Sequence, residues 1–317
     1  MKREGSLKVG VIGIGSMGRQ HVRIYHELGA NVVGVADTDL DRAQKIAAQY
    51  GTRAYADYKE LLNQDLDAVS IVVPTIEHKA VALAVIERGA NLLIEKPIAD
   101  SITNAQKIIS AAEERKVKLL VGHIERFNPA VQKLKQIIDE GILGKLILIS
   151  ARRVGPFVTR ISDTGIIVDS ATHDIDISRY LVGKEYTAVY ARSTRYRNIK
   201  GDAALILIDF GGVFASIEVN WYTPHRVRTL SVTGTKGIAY LDYLKRELEI
   251  YNTGGNIIPE IEKEEPLKLE LSHFLDCIRG GKQPLVTGYD GLKALEIATR
   301  AEQVSLGQKE SPYEPGK

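Results

Sequence analysis

The sequence predicts an α/β chain: an N-terminal doubly wound parallel sheet, then an α+β part built on a large open, mostly antiparallel sheet. Three observations carry this. Up to residue 123, short runs rich in Val, Ile and Leu alternate with helical patterns, as strands buried on both faces of a parallel sheet read. Beyond that point, longer strand-like segments follow one another across tight-turn sequences. The chain has 317 residues, 44% hydrophobic and 26% charged, enough for two globular domains. We place them at 1–123 and 124–317.

In the first part the strands are expected at 7–14, 31–37, 67–74, 91–97 and 118–123. Helices are expected in the intervening stretches. In the first helix Met17, His21, Ile24 and Leu28 recur at helical spacing, and Gly29 closes it. Helical patterns also run through 39–50, 77–88 and 101–116, so strand and helix alternate as a doubly wound sheet requires. After the amphipathic stretch "FNPAVQKLKQIIDEGILG", strands are expected at 145–155, 187–195, 203–210, 213–223, 226–233, 238–243 and 246–251. Gly211-Gly212 and "GTKG" at 234–237 read as turns, which make consecutive strands antiparallel. A helix over 169–182 interrupts them, and two more close the chain near 266–279 and 289–306.

Composition excludes several classes. A net charge of +2 is too small for a nucleic-acid binder. The single cysteine, Cys277, makes no intrachain disulfide, and no Cys/His spacing resembles a metal site, so no metal is expected. The start "MKREGSLKVG" does not read as a signal peptide, and no apolar run has membrane-spanning length. A cytoplasmic protein with no membrane partner is expected.

"VGVIGIGSMGRQ" sets Gly13, Gly15 and Gly18 in G-x-G-x-x-G spacing between an apolar strand and a helix. The first glycine turns the chain, the second admits a pyrophosphate, and the third lets helix and strand pack closely. Ser16 and Met17 lie within the same loop. Asp37 ends the second strand, nineteen positions after Gly18. There its carboxylate accepts from ribose hydroxyls and repels a 2′-phosphate, which favours NAD over NADP. Asp37 as the mere start of a loop, and Arg42 as a phosphate partner, are the alternatives.

"NLLIEKPIAD" at 91–100 runs from a buried strand into Glu95-Lys96-Pro97. Ligands of doubly wound sheets sit outside the carboxyl ends of the strands, so Lys96 is aimed at the cofactor crevice. An ammonium there stabilises an alkoxide as hydride leaves carbon. A solvated lysine at a strand end is the plainer alternative. In "DSATHDIDISRYL", Asp169 and His173 stand four apart on one expected helix face. The histidine is suited to accept a hydroxyl proton. Asp169 as a helix cap and His173 as a core residue remain open.

The glycine loop, "VPTIEH" (73–78), "EKP" (95–97), "GHIERFNP" (122–129) and "DSATHDID" (169–176) occur in the order of the Gfo/Idh/MocA oxidoreductases, which this chain resembles along nearly its whole length. The resemblance implies a Rossmann domain, an open-faced sheet domain, and NAD(P)-dependent dehydrogenation at a CH–OH group. It implies that Lys96 is the family's signature lysine and that Asp169 and His173 are its Asp-x-x-x-His pair. It also places Pro74, Thr75, His78 and Glu95 with the cofactor, and Asn128 with substrate or nicotinamide.

"VGHIERFNPAV", "ARRVGPF" and "DSATHDIDISRYL" resemble the family's nucleotide-sugar branch, whose members oxidise the 3-hydroxyl of UDP-N-acetylglucosamine or its uronic acid. Among Arg152, Arg153 and Arg160, Arg160 is the expected diphosphate partner, since adjacent strand arginines face opposite ways. The segment "DTGIIV" before Asp169 departs from the glycine-rich run of several sugar dehydrogenases. Oxidation of inositol or a free sugar is the alternative within enzymes, and a non-catalytic dinucleotide sensor the alternative outside them. "AALILIDF" (203–210) is apolar on both faces. This implies a homodimer or homotetramer through the open sheet, unless the C-terminal helices cover that face.

Overall fold

The computed structural model describes residues 6–157, 164–196 and 200–307. Its first sheet is built from β1 (Lys8–Ile12), β2 (Asn31–Ala36), β3 (Arg53–Tyr55), β4 (Ala68–Ile71), β5 (Asn91–Glu95) and β6 (Leu119–Gly122). The strand order is β3-β2-β1-β4-β5-β6, and every pairing is parallel. The order reverses between β1 and β4, the switch point where such sheets bind ligands. The helices of this part are α1 (Ser16–Glu27), α2 (Leu40–Tyr50), α3 (Tyr58–Leu61), α4 (His78–Glu87) and α5 (Ile102–Arg115). Strand residues Val9, Val11, Val69, Leu92, Leu93, Ile94 and Leu120 have no solvent exposure, which is why these runs lack polar alternation.

β3 and α3 escape a periodicity reading because three and four residues are too few to show one. Helix ends follow their caps. Asp39 accepts the Arg42 N–H to start α2, and Gly51 ends it at φ +65°.

The second sheet comprises β7 (Leu146–Pro156), β8 (Ala188–Thr194), β9 (Ala203–Asp209), β10 (Phe214–Asn220), β11 (Tyr222–Gly234), β12 (Gly237–Asp242), β13 (Glu247–Asn252) and β14 (Gly255–Ile257). Its order is β14-β13-β12-β11-β7-β10-β9-β8, antiparallel except for the β7–β10 pair. The β9–β10 turn works as its glycines suggest. Gly211 and Gly212 both take positive φ, and their N–H groups donate to Asp209 Oδ1 at 2.8 and 3.1 Å. Helices α6 (Pro129–Asp139) and α7 (Thr172–Val182) precede or interrupt the strands, and α8 (Pro266–Gly280) and α9 (Gly288–Ser305) follow.

One face of β9 packs inward: Ile206 and Ile208 share a core with Ile175 and Ile177 of α7 and with Ile297, Ala298 and Ala301 of α9. Helices therefore cover that face. The other face leaves Leu205 58% and Leu207 39% exposed.

The chain divides into two compact units. The first ends at Ile124, one residue past the expected boundary, but it also takes Glu265–Leu292. The correction has a packing reason. α8 packs against α1, and Gly288 and Gly291 of α9 lie against Leu119 and Val121 of β6, with no room for a Cβ. The C-terminal segment thus finishes the first unit before returning to the second.

Candidate active site

In the first unit the glycine loop joins β1 to α1, and each glycine has a separate steric cause. Gly13 has φ +90°, and a Cβ there would lie 2.3 Å from Val72 O. A Cβ on Gly18 would lie 1.8 Å from Gly13 O, whereas one on Gly15 would meet nothing within 4 Å. Gly15 is therefore spared a side chain on the open side of the loop, where a pyrophosphate approaches. The first turn of α1, beginning at Ser16 and Met17, carries no acidic residue and no side-chain cap. Its N–H groups suit an anion. These residues fit a dinucleotide.

Asp37 is 9% exposed. Its Oδ2 accepts the Ile14 N–H of the glycine loop at 2.7 Å, and its Oδ1 accepts the Asp39 N–H at 2.9 Å. Arg42 pairs with Asp37 at 3.3 Å and with Asp39 at 2.9 Å. The guanidinium weighed as a 2′-phosphate partner is thus engaged by two carboxylates.

After β4, Pro74 is exposed and Thr75 partly buried at the start of a 3₁₀ turn. His78 begins α4 and is buried. Its Nδ1 lies 2.9 Å from Pro97 O and its Nε2 3.0 Å from Val73 O. Burial pushes its pKa down, outweighing those carbonyls. The ring ties the ends of β4 and β5 together, at the edge of the expected cofactor crevice.

Glu95 is the last residue of β5, and Lys96 follows it, partly buried, with a cis Lys96–Pro97 peptide. Burial disfavours charge on Glu95, but His21 and Lys96 outweigh it and hold the carboxyl below its ordinary range. Gly122, paired with Glu95 in register, leaves room for that carboxylate: a Cβ there would stand 3.1 Å from Glu95 Cδ. Nothing local marks this contact, because Gly122 falls at the close of an ordinary apolar run.

In the second unit Asp169 lies in a π-helical turn, Ile167–Ala171, and His173 follows in the first turn of α7. The Thr172 N–H reaches back five residues to Ile167 O. The expected single α-helix over 169–182 is therefore two geometries, and the four-residue spacing crosses the junction. Such wide turns recur at functional sites. The N-cap position of α7 is Ala171, and Asp169 sits inside the π turn. It is partly buried and accepts from Ser170 Oγ at 2.9 Å, and His173 is partly buried.

The neighbouring acids anchor α7. Arg126 grips Asp176 with two bonds of 2.8 and 2.6 Å. Arg153 bonds Asp174 at 2.7 and 3.2 Å and Glu125 at 3.0 Å. Burial opposes the Arg153 charge, but Asp174 and Glu125 overcome it and raise its pKa. All five side chains are nearly buried. Forked arginine–carboxylate pairs hold orientation well, so α7 presents His173 from a fixed helix.

Other expected substrate contacts fare differently. Asn128 is 1% exposed and caps α6. Its Oδ1 accepts the Ala130 N–H at 3.1 Å, and its Nδ2 donates to Tyr243 O at 3.2 Å and Glu125 at 3.3 Å. Its side-chain amide is engaged by the protein on both its oxygen and its nitrogen. Arg152 pairs with Glu218 at 3.0 Å on the wet face. Arg160 lies outside the described residues. Among the described residues no group of His, Cys, Asp or Glu forms a metal cluster, and no helix is long and apolar enough to cross a membrane.

The parallel sheet with its switch point, the glycine loop and Asp37 define a dinucleotide-binding oxidoreductase. The comparisons agree. The model of the oxidoreductase family with an NAD-binding Rossmann fold matches residues 7–123, and that of the GFO/IDH/MocA C-terminal domain matches residues 131–240. The chain belongs to the GFO/IDH/MocA family of NAD-binding oxidoreductases. It is 31% identical to a UDP-N-acetylglucosamine 3-dehydrogenase of Acidithiobacillus ferrooxidans, over 92% of this chain and 95% of the relative. It is also 31% identical to a scyllo-inositol 2-dehydrogenase (NAD(+)) of Bacillus subtilis, over 94% of each. The solved structure of the Acidithiobacillus enzyme matches with a TM-score of 0.90 at 30% identity, covering 96% of this chain and 99% of that one.

Proposed function

We propose that this protein oxidises a secondary alcohol of a UDP-amino sugar, the 3-hydroxyl of UDP-N-acetylglucosamine or a close relative, using NAD. The observation that carries the chemistry is Lys96, set after β5 in the β4-β5-β6 half of the sheet, beside a Glu95 carboxyl held below its ordinary range. When bound, NAD supplies the hydride acceptor. Lys96 stabilises the negative charge that develops on the substrate oxygen. His173 takes the hydroxyl proton, and Asp169 orients the ring or holds the sugar. Ser16 and the first turn of α1 hold the pyrophosphate, Asp37 the adenosine ribose, and Pro74 and Thr75 line the crevice.

The sugar assignment is supported by full-length likeness to the nucleotide-sugar enzyme in sequence and in fold. Inositol oxidation is the second reading, favoured by equal identity to the scyllo-inositol enzyme. Reduced nicotinamide appearing with UDP-N-acetylglucosamine and not with inositols supports the first reading, and the reverse pattern replaces it with the second.

The open sheet face is proposed as the contact with a second copy of this chain. Tyr190 pairs in register with Leu207, and Phe214 with Leu148, all outward-facing and exposed. Tyr240 and Tyr251 add an edge-to-face ring pair among the exposed side chains of β12 and β13. A monomer rarely leaves so wide an apolar face to water.

A further inference from the structure

His21 reads in the sequence as one member of a helical stripe. In the fold it stands three residues beyond Gly18 on α1, with its side chain wholly buried. Its Nε2 lies 3.2 Å from Glu95 Oε1 and its Nδ1 lies 3.1 Å from Ser70 Oγ. Ser70 Oγ lies 2.8 Å from Tyr25 OH. Three elements of the first unit, α1, β4 and β5, are thereby joined by one chain of polar groups.

The chemistry of the ends sets its direction. An ionised carboxylate only accepts, so His21 Nε2 donates to Glu95. Nδ1 meets the Ser70 hydroxyl, which in turn meets the Tyr25 hydroxyl, so the run Tyr25–Ser70–His21–Glu95 ends on the carboxylate. Burial pushes the Tyr25 phenol above its ordinary pKa. Tyr25 is wholly buried, whereas Glu95 keeps 14% exposure. A chain that ends in the interior holds its outer member and has nowhere to pass a proton.

Other charged groups bear on the same carboxylate. Lys96 donates its backbone N–H to Glu95 Oε2 at 3.3 Å and its charge favours the negative carboxylate. Glu270 of α8 is wholly buried, with neither carboxyl oxygen in a hydrogen bond. Burial and the Glu95 charge both keep it in the neutral acid form, so the negative charge of the pair stays on Glu95.

We propose that His21 is a positioning residue of the cofactor site: with Ser70 and Tyr25 holding its ring in place, it aims the Glu95 carboxylate at the bound dinucleotide and locks the glycine-loop helix to the Glu95-Lys96-Pro97 turn. The inference rests on the proposed function only in taking Glu95 as a cofactor contact.

The test is a double-variant cycle on NADH affinity, read by nicotinamide fluorescence on the full chain with no sugar present. His21→Leu should weaken binding about tenfold in the wild-type background, the loss expected for one hydrogen bond to a charged group. It should weaken binding less than about threefold once Glu95→Gln is in place, because residues acting through one another do not add. His21→Gln, whose amide N–H takes the place of Nε2–H, should restore affinity to within about threefold of wild type. If His21→Leu does not fold, Ser70→Ala removes a single hydroxyl and runs the same cycle, with a several-fold loss that vanishes in the Glu95→Gln background. Equal losses in both backgrounds, or a Gln variant as weak as the Leu variant, overturn the inference while leaving the proposed function standing. A wild-type protein that binds no NADH removes both.

Discussion

The Asp37 carboxylate accepts the backbone N–H of Ile14 at 2.7 Å, so the residue expected to read the ribose also holds the glycine loop in shape. Arg42 closes over the same carboxylate. Asp37→Ala removes an acceptor from a buried amide, a loss of about 1–3 kcal/mol, and it frees Arg42 from one partner. We expect NAD affinity to fall at least about tenfold, while NADP affinity falls less or rises. Titration of both dinucleotides checks this. Parallel losses for the two would show that Asp37 shapes the loop without choosing the cofactor.

The buried Glu270 predicts a pH dependence of stability with a definite sign. Its folded pKa lies well above 4.5, pushed up by burial and then by Glu95. Below the ordinary carboxyl range both folded and unfolded chains hold the proton. As pH rises past that range only the unfolded chain releases it, so the folded state loses about 1.4 kcal/mol per pH unit until its own pKa is passed. Glu95, shifted the opposite way, adds stability that disappears on acidification. Glu270→Gln should therefore gain steadily on wild type in denaturant unfolding as pH rises above the ordinary carboxyl range. A constant difference as pH rises would contradict a protonated Glu270.

The Arg126–Asp176 pair predicts a stability cost that a second change relieves. Its side chains are 4% and 1% exposed. Asp176→Leu alone takes the forked carboxylate away from a buried guanidinium and should cost about 3–5 kcal/mol. The double variant Arg126→Leu, Asp176→Leu should recover much of that loss. Chemical unfolding of the three variants decides it, and additive losses would mean the pair's role is packing alone.

The exposed row on the second sheet predicts association. Wild type should elute as a dimer or tetramer in size-exclusion with light scattering, and Leu205→Lys with Leu207→Lys should shift it to monomer. A monomeric wild type would leave that face without the proposed partner.

The sequence carried the layer order of the first unit because buried parallel strands and capped helices leave strong local patterns. It carried the need for glycine at Gly13 and Gly18, because the close approaches that demand it are tied to fixed spacing. It did not carry the roles of His78 and Asn128, whose polar side chains meet backbone carbonyls set far from them in the chain. Nor did it carry Asp174 and Asp176, which read as polar excess in a helix and prove to be its anchors. The π turn at Asp169 was hidden for a different reason, since one extra residue in a helical turn leaves no mark on composition. Return of Glu265–Leu292 to the first unit was hidden because it depends on long-range packing.

The central claim is met most directly by following reduced nicotinamide when wild type and Lys96→Ala are given NAD with UDP-N-acetylglucosamine. We expect wild type to produce it and Lys96→Ala to lose about a hundred- to a thousandfold in turnover, as removal of a group that stabilises developing charge does, while still binding NADH. Unchanged turnover in Lys96→Ala would contradict the account.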